Sequence, residues 1–286
     1  MKFRSFLRAG VALALTAAAA VVSAQSSFTM TYKGGSTSTC GSTYNISGKE
    51  PSASGKYPVF VYISGTGEPY TSSWAQSAIN EAVSRGYVAA TVEYDNGTFG
   101  TCTTISQRAK CIFNSGNANS AVAKLCSRAK ADCSKGVVTG GLSQGSIISV
   151  LSRNYDSRVR ASFGQGTGTT YTVAYNLASC MTAGRYTQSP DRVRIINGEG
   201  DMFVGGTEAI ARASAERVTG LNCTARQSCF RSNGSGWYIV KHYEVLDLFA
   251  DHCFMGYGGT ALVQCAGILA SDANYVYGNN QWGVKA

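Results

Sequence analysis

One serine in this chain is placed for nucleophilic chemistry, and few groups are available to activate it. Ser143 sits in Gly141-Leu142-Ser143-Gln144-Gly145, a G-x-S-x-G pattern. The pattern suits a turn sharp enough to push the hydroxyl clear of the backbone, with glycines where a Cβ would clash. A serine hydroxyl alone is a poor nucleophile. It needs a base within hydrogen-bond reach, a group that orients the base, and donors for the oxyanion that forms on attack.

The sequence contains two histidines. His242 falls inside Tyr238-Ile239-Val240-Lys241-His242-Tyr243, which reads as strand, whereas His252 follows in Phe249-Ala250-Asp251-His252-Cys253-Phe254, which reads as loop. A base must approach the serine from beyond a strand end, so His252 is the expected base and His242 the alternative. Two carboxylates follow the strand pattern Arg192 to Asn197, namely Glu199 and Asp201. The tight Gly198-Glu199-Gly200 turn aims the next residue back across the strand ends, which favours Asp201 over Glu199. For the oxyanion, the backbone N–H of Gln144 is one expected donor. The loop Gly65-Thr66-Gly67, directly after the strand pattern Tyr57 to Ser64, offers the second, most simply at Thr66.

These residues need a scaffold. Gly136 to Gly140 reads as a short buried strand, and Ile147, Ile148, Val150 and Leu151 recur at helical spacing, so Ser143 lies on a strand-to-helix turn. The helix N-terminus then points its free N–H groups at the place where negative charge develops. Further strands are expected over Phe28 to Lys33, Tyr57 to Ser64, Tyr87 to Val92, Val159 to Phe163, Arg192 to Asn197 and Trp237 to Val245. Helices are expected over Ser72 to Arg85, in much of Thr104 to Asp132, over Glu208 to Val218, and from about Gly259 to Asp272. Strands alternating with helices predict an α/β fold with a mostly parallel central sheet and helices on both faces. In such sheets ligands gather at the carboxyl ends of the strands, where all the candidates fall.

The order Ser143, Asp201, His252, each after its own strand, resembles the α/β-hydrolase superfamily over essentially the whole chain beyond its leader. The resemblance maps nucleophile, acid and base onto those residues and the oxyanion donors onto Thr66 and Gln144. It departs from the family at Ser64-Gly65, where the oxyanion strand often ends in His-Gly. Gly-x-Ser-Gln-Gly also occurs in cutinase-like esterases, but the acid and base regions carry no matching pattern. The implied activity is hydrolysis of carboxylic esters, small or polymeric, through an acyl-enzyme. Alternatives by analogy are polyester depolymerase, lipase or cutinase-like chemistry, or a non-catalytic binding protein on the same scaffold. The segment 164–190 is too short for a large cap, so a minimal lid and an open cleft are expected, walled by Tyr70, Trp74, Tyr171 and Phe203, with Tyr175 and Met202 nearby.

Residues 1–24 read as a secretory leader: Lys2, Arg4 and Arg8, then an apolar run from Ala9 to Val22, then Val22-Ser23-Ala24. Residues 25–286 are expected to form a single catalytic domain, secreted or periplasmic, with no stable membrane anchor. All ten cysteines follow the leader, which in an exported chain argues for up to five disulfides. Near neighbours suggest Cys223 with Cys229, Cys253 with Cys265, and local pairs among Cys102, Cys111, Cys126 and Cys133, leaving Cys40 with Cys180. No C-x-x-C or H-E-x-x-H is present, so neither metal nor cofactor is expected. The formal charge of +9 loses three with the leader's basic residues, leaving +6. The remaining basic residues are scattered rather than striped with aromatics, so no nucleic-acid partner is expected.

Overall fold

The computed structural model describes residues 24–171, 175–181, 186–201, 203–241, 250 and 252, with the side chains of Trp74 and Tyr175 excepted. Residues 1–23 of the expected leader, Met202, His242, the expected pair Cys253 and Cys265, and the expected C-terminal helix lie outside the described residues.

Two fully buried segments set the middle of the sheet. β3 (Val59–Ile63) and β5 (Val137–Leu142) have every residue buried, as strands covered on both faces must. They pair in parallel and are extended on one side by β4 (Val88–Val92) and on the other by β6 (Val159–Gln165), β9 (Val193–Gly198) and β11 (Gly236–Val240), all parallel. Antiparallel edges finish the sheet. β1 (Gln25–Tyr32) and β2 (Tyr44–Pro51) join beside β4, and β10 (Cys229–Phe230) joins β11, giving nine strands in the order β1-β2-β4-β3-β5-β6-β9-β11-β10. β7 (Thr170–Tyr171) and β8 (Tyr175–Asn176) form a separate small hairpin in the 164–190 connection.

Period-two alternation sends the two sides of each strand into different cores. Phe60 and Tyr62 meet α1 (Ser73–Ser84) on one face. Val59, Val61 and Ile63 meet α2 (Cys102–Phe113), α3 (Ala121–Cys126) and α4 (Gln144–Leu151) on the other. Further along that second face, Val193, Ile195, Trp237 and Ile239 pack against Ala215 and Val218 of α5 (Glu208–Thr219). The helix starts follow from capping: Ser72, Thr101, Ser120 and Thr207 each accept a backbone N–H three residues on, each cap contributing about 1 kcal/mol.

Four cysteine pairs lie at disulfide distance. Cys223–Cys229 and Cys126–Cys133 pair as expected from proximity. The pairing of Cys40 with Cys180 and the local pairing of Cys102 and Cys111 are both overturned: Cys40 joins Cys111 and Cys102 joins Cys180, with Cα separations of 5.5 and 5.6 Å. The reason lies in α2, whose two ends carry Cys102 and Cys111. Its first turn faces the short 3₁₀ turn Ala178–Met181, and its last turn faces the loop after β1. Among the described residues no helix is long and apolar enough to cross a membrane.

Candidate active site

The nucleophile candidate sits on a tight strand-to-helix turn. Ser143, between β5 and α4, has φ 53° and ψ −121°, a backbone region that L residues rarely occupy. The glycines around it leave room for this turn. A Cβ on Gly145 would fall 2.5 Å from the Ser64 carbonyl oxygen and closer still to that of Ile63, and one on Gly141 would strike the Gly145 carbonyl. Strand β3 can therefore run directly past the elbow, and the atoms that a side chain on Gly65 would meet include Ser143 Cβ at 3.4 Å. The loop after β3 and the serine are thus adjacent.

The acid and base candidates meet. His252 Nδ1 lies 2.9 and 3.0 Å from the two carboxylate oxygens of Asp201, with both residues buried. The carboxylate is held in place by the Phe203 N–H at 3.1 Å and the Val204 N–H at 3.4 Å, both donating to Oδ1. The loop beneath it is tied to its neighbours: the Glu199 N–H donates to the Val240 carbonyl at the end of β11, and the Gly200 N–H to the Ala250 carbonyl. A carboxylate on Nδ1 favours the tautomer with its proton there, which makes Nε2 the basic nitrogen of the ring.

Serine and imidazole flank one peptide. The Ser143 N–H donates to the Gln165 carbonyl at 2.7 Å, and the next residue, Gly166 (φ 61°), is where the His252 ring rests. A Cβ on Gly166 would approach His252 Cε1 to 2.6 Å and Nδ1 to 2.9 Å, so only glycine admits the ring there. The turn is braced from behind. Asn197 Nδ2 donates to the Thr167 carbonyl, Trp237 Nε1 donates to Asn197 Oδ1, and the Gly168 N–H donates to the Tyr171 hydroxyl.

The loop Gly65-Thr66-Gly67, the candidate for the oxyanion donor, has its own supports, which sequence reasoning missed. Glu68 is buried and accepts the Gly65 N–H at 2.8 Å and the Ser72 hydroxyl at 2.7 Å. Burial pushes its carboxyl above the ordinary range, against the lowering effect of those two hydrogen bonds. Asn96 Nδ2 donates to the carbonyls of Gly65 and Glu68, and its own carbonyl accepts the Gly67 N–H. Thr66 Oγ1 is buried with no hydrogen-bond partner among the described residues. The available signal was local: Glu68 stands four residues before the α1 cap Ser72, close enough to bond it. In the sequence it reads as an ordinary turn charge.

The expected cleft residues divide. Phe203 is half-buried with its ring centroid 4.9 Å from that of His252. Tyr171 is buried, its ring centroid 4.6 Å from that of Phe99 with the planes tilted by 52°, and its phenol is raised well above its ordinary value by burial and by the nearby Asp201 charge. Tyr70 is half-buried at the far end of the oxyanion loop, and Trp74 lies in the first turn of α1. Glu199 points its carboxylate at Lys241 instead of His252. A cavity of about 240 Å³ lies behind the acid loop, against Glu199, Thr207, Arg226, Trp237 and Lys241. It reaches Asp201 but not Ser143, so an acyl group on the serine would sit elsewhere. No group of three or more potential metal ligands gathers among the described residues.

No protein-family model matches the sequence, and no curated protein matches it significantly. Solved structures do match in shape. A dienelactone hydrolase-like promiscuous phosphotriesterase from metagenomic libraries is 15% identical, covering 90% of this chain and 95% of its own, with a TM-score of 0.58. An esterase from Butyrivibrio proteoclasticus is 11% identical over 90% of this chain and 99% of its own, with a TM-score of 0.54. A cold-adapted esterase from an Arctic intertidal metagenomic library is 12% identical over 91% and 94%, also at 0.54. The chain has the α/β-hydrolase fold. In an α/β-hydrolase fold the strand-to-helix elbow, the loop after β3 and the loops after β9 and β11 converge at one end of the sheet. Ser143, Thr66, Asp201 and His252 occupy those four places.

Proposed function

We propose that the chain is a serine hydrolase that cleaves carboxylic esters through an acyl-enzyme, with Ser143 as nucleophile, His252 as base and Asp201 as the acid that orients it. The observation that carries this reading is the buried Asp201–His252 contact resting on the peptide that also binds the Ser143 N–H. His252 Nε2 takes the hydroxyl proton as Ser143 Oγ attacks the ester carbonyl. Charge gathers on the carbonyl oxygen, stabilised by the backbone N–H groups of Gln144 and Thr66. Collapse breaks the bond to the alcohol oxygen, which leaves with the proton held by His252. Water, deprotonated by the same imidazole, then attacks the acyl-serine; the carboxylic acid departs and Ser143 regains its proton. The Asp201 carboxylate, bonded to Nδ1, orients the imidazole and offsets the charge it gains.

The substrate reading is a small-molecule or polymeric ester in an open cleft, with Phe203 beside the imidazole and Tyr70 and Trp74 beyond the oxyanion loop as apolar walls. Esterases and a dienelactone hydrolase-like protein among the structural relatives favour ester chemistry over amide chemistry. Export, with residues 1–24 removed, is favoured by four cysteine pairs at disulfide distance, which are uncommon in a reducing cytosol. The test is turnover of a p-nitrophenyl ester series from acetate to long acyl chains. Wild type is expected to hydrolyse at least the short members, with Ser143→Ala and His252→Ala each reducing kcat by about 10⁴-fold or more. A wild type inert on every member would reject the ester reading, and an active His252→Ala with an inactive His242→Ala would reassign the base.

A further inference from the structure

We infer that the buried side chain of Gln144, held by Arg108 and joined through Tyr94 to the Ser64 carbonyl, is a positioning relay that fixes the spacing of the two oxyanion donors. The inference rests on the hydrolase reading and adds to it residues that no family pattern assigns.

The relay is continuous. Gln144 is fully buried, and its Oε1 accepts from Arg108 Nη1 at 2.5 Å and from the Gly100 N–H at 2.8 Å. Two donors on one atom identify it as the oxygen, so the amide orientation is set by chemistry. Gln144 Nε2 then faces the Tyr94 hydroxyl at 3.4 Å, and Tyr94 in turn donates to the Ser64 carbonyl at 2.7 Å. Ser64 precedes Gly65-Thr66. One donor, the Gln144 backbone N–H, is thereby linked through its own side chain and a single phenol to the strand end that delivers the other. Burial holds the Tyr94 phenol above its ordinary value, so it stays a donor across the working pH range.

Arg108 is a costly way to build such a contact. Its side chain is 2% exposed, its partner Asp95 is 49% exposed at 3.2 Å, and its Nε has no hydrogen-bond partner among the described residues. A buried guanidinium with an incomplete set of partners is generally destabilising relative to an apolar side chain of similar size. Its remaining bonds go to the Thr98 carbonyl and Gln144 Oε1, so what it holds is the loop 98–100 against the residue after the nucleophile. Neither Arg108 nor Tyr94 is assigned contact with substrate; both are positioning residues.

The experiment measures kcat, KM and trifluoromethyl-ketone inhibition on p-nitrophenyl butyrate for wild type, Tyr94→Phe, Arg108→Lys and their double variant. Oxyanion contacts form only in the transition state, so kcat is expected to fall about 10- to 100-fold with KM within about two-fold. The ketone Ki should rise by the same factor as kcat/KM falls, and the double variant should lose little more than the worse single. The acid limb of the pH profile should not move, because His252 and Asp201 are untouched. Ser152→Ala, which removes a buried hydroxyl bonded to Ser149 and Thr139 away from the oxyanion loop, should lower Tm with kcat unchanged. Tyr94→Phe deletes one oxygen and keeps the shape, so it carries the test if Arg108→Lys fails to fold. Folded variants with kcat within two-fold of wild type, or with kcat loss no larger than their unfolded fraction, overturn the relay alone. A wild type inert toward the ester overturns the hydrolase reading and the relay with it.

Discussion

Ser143 holds φ 53° without being glycine, a strain on the order of 1–3 kcal/mol that the surrounding turn imposes on it. Two substitutions separate strain from chemistry. Ser143→Ala keeps the strain and loses the hydroxyl; Ser143→Gly loses both. Both are expected to be inactive, with Ser143→Gly the more stable by about 1 kcal/mol in denaturant melts. Equal stabilities would mean the elbow relaxes around the serine. Glu68 gives a second residue-scale expectation. Its folded carboxyl pKa is raised, chiefly by desolvation, so its contribution to stability is full below the unfolded pKa and is lost as pH rises through the folded value. Glu68→Gln keeps an acceptor for the Gly65 N–H and cannot ionise. The variant's Tm should gain on that of wild type as pH rises from about 4 to about 8. Parallel Tm curves would show that Glu68 titrates as an ordinary carboxylate.

The elements that carry the site are staples as well as strands. The pair Cys102–Cys180 spans 78 residues and ties the start of α2 to the connection before β9, whereas Cys126–Cys133 spans only 7. In the chain-entropy account the first is worth about 4 kcal/mol and the second about 2 kcal/mol. The double variant Cys102→Ser/Cys180→Ser should therefore lose more stability than Cys126→Ser/Cys133→Ser by thermal unfolding. The reverse order would place the effect in native packing rather than in loop closure. The same contrast explains which elements could be read from sequence. β3, β4, β5 and the helix α1 announce themselves by local apolar patterns and caps. β2 does not: Tyr44–Pro51 carries a glycine, a lysine, a glutamate and a proline, and its strand geometry comes from eight-residue pairing with β1 and from contact with β4. The Cys40–Cys111 and Cys102–Cys180 pairs were hidden for the same reason, since nothing near a cysteine reports what lies 70 residues away in sequence.

At the scale of the molecule, the candidate site is a seam. Its serine leaves β5, its oxyanion loop leaves β3, its acid leaves β9 and its base follows β11, so four parallel strands must hold register for the groups to meet. The order of Ser143, Asp201 and His252 along the sequence was legible because each follows a recognisable strand. Arg108 and Glu68 were not, because a lone arginine in a helix and a lone glutamate in a Gly-rich turn look like solvated charges until the sheet buries them. The measurement that most directly tests the account is labelling of the intact chain with a fluorophosphonate, followed by tryptic mapping. One adduct is expected, at Ser143 in the peptide 136–153, absent from Ser143→Ala and formed far more slowly in His252→Ala. No adduct, an adduct on another residue, or labelling of His252→Ala at the wild-type rate would contradict it.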